Sequence, residues 1–176
     1  MASRPLIAAF VACLLAPRCA AARQRPQVPV RVAWTYEGVP AGIRLFELKS
    51  GSWPVWQTEV VARLEQAPLG AEVPGSTVLL LPGQTKRIAL VYENAGRGTI
   101  DFFAAPHSIT PGRDALGFKF RCLCTNHVYK IPPGHWWYRV VELRLDREFA
   151  GARLEVSHEL VAVEPARGEL FRQGIR

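Results

Sequence analysis

Val128-Tyr129-Lys130-Ile131 runs into Pro132-Pro133-Gly134 and out through Tyr138-Arg139-Val140-Val141-Glu142-Leu143-Arg144-Leu145. Proline fixes φ and glycine accepts φ > 0, so the Pro-Gly step is a turn and the stretch reads as strand, turn, strand. The same layout occurs upstream, where Thr77–Leu81 runs into Pro82-Gly83 and out through Arg87–Tyr92. Asn94–Gly98 makes a further turn before Thr99–Ala104, and a last strand covers Arg153–Val163. Towards the N-terminus, Val28–Trp34 alternates until Gly38–Gly42 breaks it, and Ile43–Leu48 ends at Lys49-Ser50-Gly51. Trp56–Leu64 alternates again, with Val60, Ala62 and Leu64 on one parity; residues 51–56 read as a loop or an edge. Helical periodicity is hard to find. Seven to eight short strands, with turns roughly every ten residues, favour an all-β, immunoglobulin-like β-sandwich, with an up-and-down barrel as the alternative.

The chain has 176 residues, enough for one domain with a real core. A hydrophobic share of 49% against 21% charged argues against disorder. At the N-terminus, Arg4 precedes the apolar run Leu6–Ala16, and Ala20-Ala21-Ala22 follow before Arg23. A positive start, a short apolar core and a small-residue end predict a signal peptide over 1–22 and an exported, periplasmic protein, soluble after cleavage or held at the membrane surface. The run is shorter than the roughly 20 residues that cross a bilayer; retention as an anchor is the alternative. Removal of Arg4 and Arg18 takes the formal charge from +7 to +5. The remaining surplus is scattered, and no basic block interleaved with aromatics points to nucleic acid. The expected layout is an N-terminal extension or first strand over 23–42, a domain over 43–163, and a tail over 164–176 with no clear partner.

Cleavage after Ala22 removes Cys13 and Cys19 and leaves Cys122 and Cys124 in an oxidising compartment. Phe118-Lys119-Phe120-Arg121-Cys122-Leu123-Cys124-Thr125 alternates with period two, so both cysteines share a face with Phe118 and Phe120 if the strand continues. Their Cα atoms then lie ~6.6 Å apart. That is near the top of the disulfide window, so a bond between them is strained and readily reduced. Two such thiolates can clasp one soft ion, and soft sulfur favours Cu(I), whereas a closed zinc site wants four ligands. Two other readings stand beside this one: small core residues, or a redox pair.

His127, three residues beyond Cys124, is a candidate third ligand if the chain turns back. His135 sits in the next turn, and His107 precedes a turn at Thr110-Pro111-Gly112. His158 shares parity with Leu154, Val156 and Leu160, which reads as core rather than ligand. No phosphate loop, G-x-S-x-G elbow or H-E-x-x-H pair is present, and no carboxylate spacing marks a general acid and base, so nothing argues for an enzyme.

Several segments, in order, resemble the CtaG-type cytochrome c oxidase assembly proteins, the copper chaperones of the CuB site of subunit I. They are Arg44-Leu45-Phe46 with Gly51, Leu81-Pro82-Gly83-Gln84-Thr85 with Tyr92-Glu93-Asn94, Ser108-Ile109-Thr110-Pro111 leading to Phe118–Cys124, and Pro133-Gly134 with Leu143–Phe149. The resemblance spans roughly Ile43–Val163. It implies an immunoglobulin-like fold and Cu(I) held by Cys122 and Cys124 for delivery to the oxidase. Leu123 and Thr125 stand where that family has phenylalanines, Glu47 where it has a further cysteine, and a cleavable signal where it has a membrane tether.

The expectation is therefore an exported copper chaperone that binds Cu(I) through the C-x-C pair. It would pass copper to cytochrome c oxidase subunit I or another membrane cuproprotein. A copper donor and a thiol reductant are implied as partners, because loading needs both thiols reduced. The spacing leaves open whether one chain holds the ion or a homodimer shares it. The alternative is a secreted sandwich that binds a partner without metal, with Trp136-Trp137-Tyr138 as its contact patch.

Overall fold

A computed structural model describes residues 26–174. The signal-like segment 1–22 lies outside the described residues. In chain order the strands are β1 (Val28–Glu37), β2 (Arg44–Leu48), β3 (Thr58–Val61), β4 (Leu69–Glu72), β5 (Thr77–Leu80) and β6 (Thr85–Glu93). They continue as β7 (Ile100–Ala104), β8 (Ser108–Thr110), β9 (Phe118–Arg121), β10 (Tyr129–Ile131), β11 (Trp136–Leu145) and β12 (Leu154–Ala162), and one helix, α1 (Pro165–Arg172), follows. Two six-stranded sheets form a β-sandwich. The first runs β10-β7-β12-β1-β5, with β8 also on β12; the second runs β3-β11-β6-β2-β4, with β9 also on β11. Among the described residues twelve strands form, more than the seven or eight expected; the short β4 and β8 have no alternating run to mark them, and β12 and β11 each carry two separate short strands along one side, β7 with β8 and β3 with β9.

Both Pro-Gly turns form, with Gly83 at φ 86° and Gly134 at φ 71°, conformations that glycine reaches without steric cost. Neither closes a hairpin. β5 pairs with β1 in the first sheet while β6 lies in the second, and β10 pairs with β7 while β11 lies in the second. The turns carry the chain between layers. The buried Asn94 fixes a third such crossing, donating from Nδ2 to the carbonyls of Gly98 (2.8 Å) and Ile131 (2.9 Å).

Between the layers lies a core in which Phe102 is fully buried, with the rings of Tyr92, Tyr129 and Trp137 centred 6.2, 5.3 and 5.5 Å away. Alternation along β11 points Trp137, Val141, Leu143 and Leu145 into this core. Tyr138 and Val140, on the opposite face, are buried as well, under a second cluster with Phe46, Ala67 and Leu69. That double burial explains the nearly unbroken apolar run of β11.

β1 enters the core through Val28, Val30 and Val32 and pairs in parallel with β12, so the domain begins well before residue 43. The tail is pinned too. Arg172 of α1 reaches the buried Asp101 at 2.7 Å.

Candidate metal centre

The site lies where the chain enters β8 in one sheet and where it leaves β9 in the other. Extended from Arg121↔Glu142, the register of β9 along β11 would next engage Val140 and Val141. Another segment already holds that stretch of the edge: Trp56 N–H donates to the Val140 carbonyl (2.8 Å), and Val140 N–H donates to the Gln57 carbonyl (2.9 Å). β9 therefore stops at Arg121, and the straight strand expected through Cys124 does not form. The chain bends instead. Thr125 N–H donates to the Leu123 carbonyl (2.7 Å), Leu123 is driven into the core, and both sulfurs turn to one side, 3.0 Å apart as free cysteines.

The opposite sheet supplies two imidazoles. Along β12 the partners are Leu160↔Ala104 and then Ser157↔Ser108, so Ala105, Pro106 and His107 face only Glu159 and His158. One extra residue on the edge is a β-bulge, a feature that re-aims side chains, and proline, which has no N–H to pair, suits it. The register of β8 carried back sets His107 opposite His158. His107 Nδ1 then lies 3.3 Å from each of the two sulfurs. His158 Nδ1 is 3.8 Å from Cys124 Sγ. One ligand atom from each of His107, Cys122, Cys124 and His158 falls within 4.8 Å of all the others.

His158 is 1% exposed and stacks on Trp34, its β1 neighbour, with ring centroids 4.9 Å apart and planes 15° from parallel. Phe120 covers another side, 5.5 Å away. His158 Nε2 is buried without a hydrogen-bond partner. Cys122 is buried, whereas Cys124 and His107 are half-buried and form the open side.

The Cys122 thiol donates to Cys124 Sγ, so the pair shares one proton. That bond, with burial adding to it, holds Cys122 well above the ordinary thiol range. The same bond pulls Cys124 well below it; burial opposes, and hydrogen bonds from His107 and His158 assist. Cys124 is thus the more acidic of the two thiols. His107, Cys122, Cys124 and His158 are the residues that would hold a metal ion here, the two sulfurs as its soft donors.

The expected pair is in place, but its expected third ligand is not. Asn126, at φ 50°, turns the backbone after Thr125. His127 ends on the outside against Tyr129 (4.8 Å), lining a cavity of about 400 Å³ with Phe103, Val161 and Phe171. His135 is spent on its own turn, bonded to the Pro133 carbonyl (2.9 Å). Glu47 pairs with Lys86 at 2.8 Å and is not among the clustered groups. His107 and His158, which complete the cluster, have no ligand spacing in the sequence to mark them. The inward parity of His158 is the one signal in the sequence, and that parity equally suits core packing.

Residues 28–163 match a domain of unknown function, DUF8709. The chain belongs to that family. All four clustered side chains lie within the matched span. No curated protein matches the chain.

Proposed function

We propose that the protein is an exported Cu(I) carrier that holds its ion between Cys122 and Cys124 with imidazole support from His107 and His158, and that it passes the ion to cytochrome c oxidase subunit I or another membrane cuproprotein. The supporting observation is the triangle of donors, with the sulfurs 3.0 Å apart and His107 Nδ1 3.3 Å from each. Two soft sulfurs and an imidazole suit a monovalent copper ion of low coordination number. The fourth donor stands farther off, and one side of the set is open. A structural zinc site is closed on four donors.

The same asymmetry gives a release route by ligand exchange. An acceptor thiolate or imidazole enters on the open side and displaces His107 and Cys124 first. Cys122 and His158, fixed in the core, are the last to let go. In an oxidising compartment a reductant keeps the pair as thiols, since a disulfide has no lone thiolate to offer.

Anaerobic titration of the reduced protein against a chromophoric Cu(I) chelator tests this. One equivalent bound, and lost in the Cys122→Ser, Cys124→Ser double variant, is the expected result. Unchanged stoichiometry in the double variant would defeat it. Four donors of the Cys2His2 type also make zinc a rival. Retention of Zn(II) in the presence of competing Cu(I) would assign the site to zinc.

A further inference from the structure

One buried cation stands apart from every ion pair. Arg139 of β11 is 6% exposed and points inward, on the same parity as Trp137 and Val141. Its guanidinium donates to Thr58 Oγ1 (2.7 Å) and Thr125 Oγ1 (3.5 Å) and lies 5.4 Å from the Tyr129 ring centroid. Its Nε is buried without a partner. Among the described residues no carboxylate pairs with it. A buried charge without a counterion is among the costliest features a core can carry.

The site next door offers the missing anion. Had β9 run on in its register with β11, Cys124 would have been the cross-strand neighbour of Arg139 on the inward face. The bent loop keeps the two close, since Thr125, bonded to the guanidinium, directly follows Cys124. Burial pushes the Arg139 pKa down, and Tyr129 and Cys122 pull it back up, so the Cys122 sulfur is within electrostatic reach. Burial also raises the Tyr129 hydroxyl pKa, which leaves that side chain neutral.

We infer that Arg139 is the counterion of the loaded centre and sets its preference for a monovalent metal. The inference rests on the copper reading above. Two thiolates around Cu(I) carry one net negative charge, neutral imidazoles add none, and Arg139 brings the total to zero. The same set around Zn(II) is already neutral, and Arg139 leaves it with an uncompensated positive charge. One guanidinium therefore favours one ion and opposes the other. Arg139 acts through its field and touches no metal; it is a positioning residue.

The test compares wild type with Arg139→Met, Arg139→Gln and Arg139→Lys, measuring Cu(I) affinity by chelator competition and Zn(II) affinity by titration of the same reduced, folded preparations. The two neutral variants are expected to bind Cu(I) about tenfold more weakly or worse. Their Zn(II) affinity should hold or rise, and Lys should keep the wild-type preference. Gln retains polarity for Thr58 and Thr125, so it serves if Met fails to fold. Equal changes for both metals, or no change for either, would overturn the counterion role and leave the carrier standing. Absence of cysteine-dependent Cu(I) binding in wild type would remove both.

Discussion

Replacing His158 by phenylalanine separates what the imidazole does for the fold from what it does for the ion. The ring is 1% exposed, stacked on Trp34 at 4.9 Å and flanked by Phe120 at 5.5 Å, contacts that a phenyl ring keeps. Its Nε2 has no partner, and burying such a group costs about 1–3 kcal/mol. Against this, the larger ring costs about 1 kcal/mol through overpacking, and the 3.8 Å contact of Nδ1 with Cys124 Sγ is lost. The metal-free variant should therefore match wild type in stability to within about 1 kcal/mol, which for a domain of this size is about 3 °C in Tm. Its Cu(I) affinity should fall about tenfold or more. Urea unfolding of reduced, metal-free protein and chelator competition read the two effects separately. Loss of more than about 2 kcal/mol in the metal-free state, of the size seen when a packed core residue is lost, would show that the histidine is a structural group. Unchanged copper affinity would remove it from the ligand set.

The remaining predictions concern the cross-sheet site and its surroundings. Because His107 and His158 come from one sheet and the cysteines follow a strand of the other, an ion there ties the layers together. At free Cu(I) a thousandfold above Kd, calorimetry should show about 4 kcal/mol of added stability, or about 10 °C in Tm, absent in the double serine variant. At pH ~5, where an ordinary thiol is almost wholly protonated, Cys124 of the reduced apo-protein should still alkylate while Cys122 does not, as peptide mapping would show. Equal labelling of the two would contradict a proton held on Cys122. Arg172→Ala should cost about 3 kcal/mol by chemical denaturation, because it leaves the Asp101 carboxylate buried and unpaired, and it should leave copper affinity untouched.

What could be read from the residues was local. Pro82-Gly83 and Pro132-Pro133-Gly134 announced their turns, because proline and glycine fix dihedral angles whatever surrounds them. They did not announce that each turn joins different sheets, since pairing is decided by partners distant in sequence. The Cys122–Cys124 spacing was legible as a thiol pair, but its shape was not. The bend after Arg121 arises because Trp56 and Gln57, more than sixty residues earlier, occupy the β11 edge that β9 would have used. His107 joins through a bulge whose extra residue is visible only in the register along β12. Nearness in sequence points to His127 as a ligand, but a left-handed Asn126 sends it elsewhere.

Two further positions of the C-x-C loop, Leu123 and Thr125, are coupled to its surroundings. Leu123 is 1% exposed and acts as the peg that seats the loop between the sheets, so an aliphatic residue there answers to the volume of this core. Thr125 answers to charge. Its hydroxyl donates to the Leu123 carbonyl, shares a hydrogen bond with Tyr129 and receives one from Arg139. A phenylalanine at 125 could make none of these bonds and would leave the guanidinium with Thr58 as its one hydroxyl partner. A buried arginine beside the thiols and a threonine in the loop therefore imply each other. One small polar side chain ties the loop that carries the sulfurs to the charge proposed to balance them.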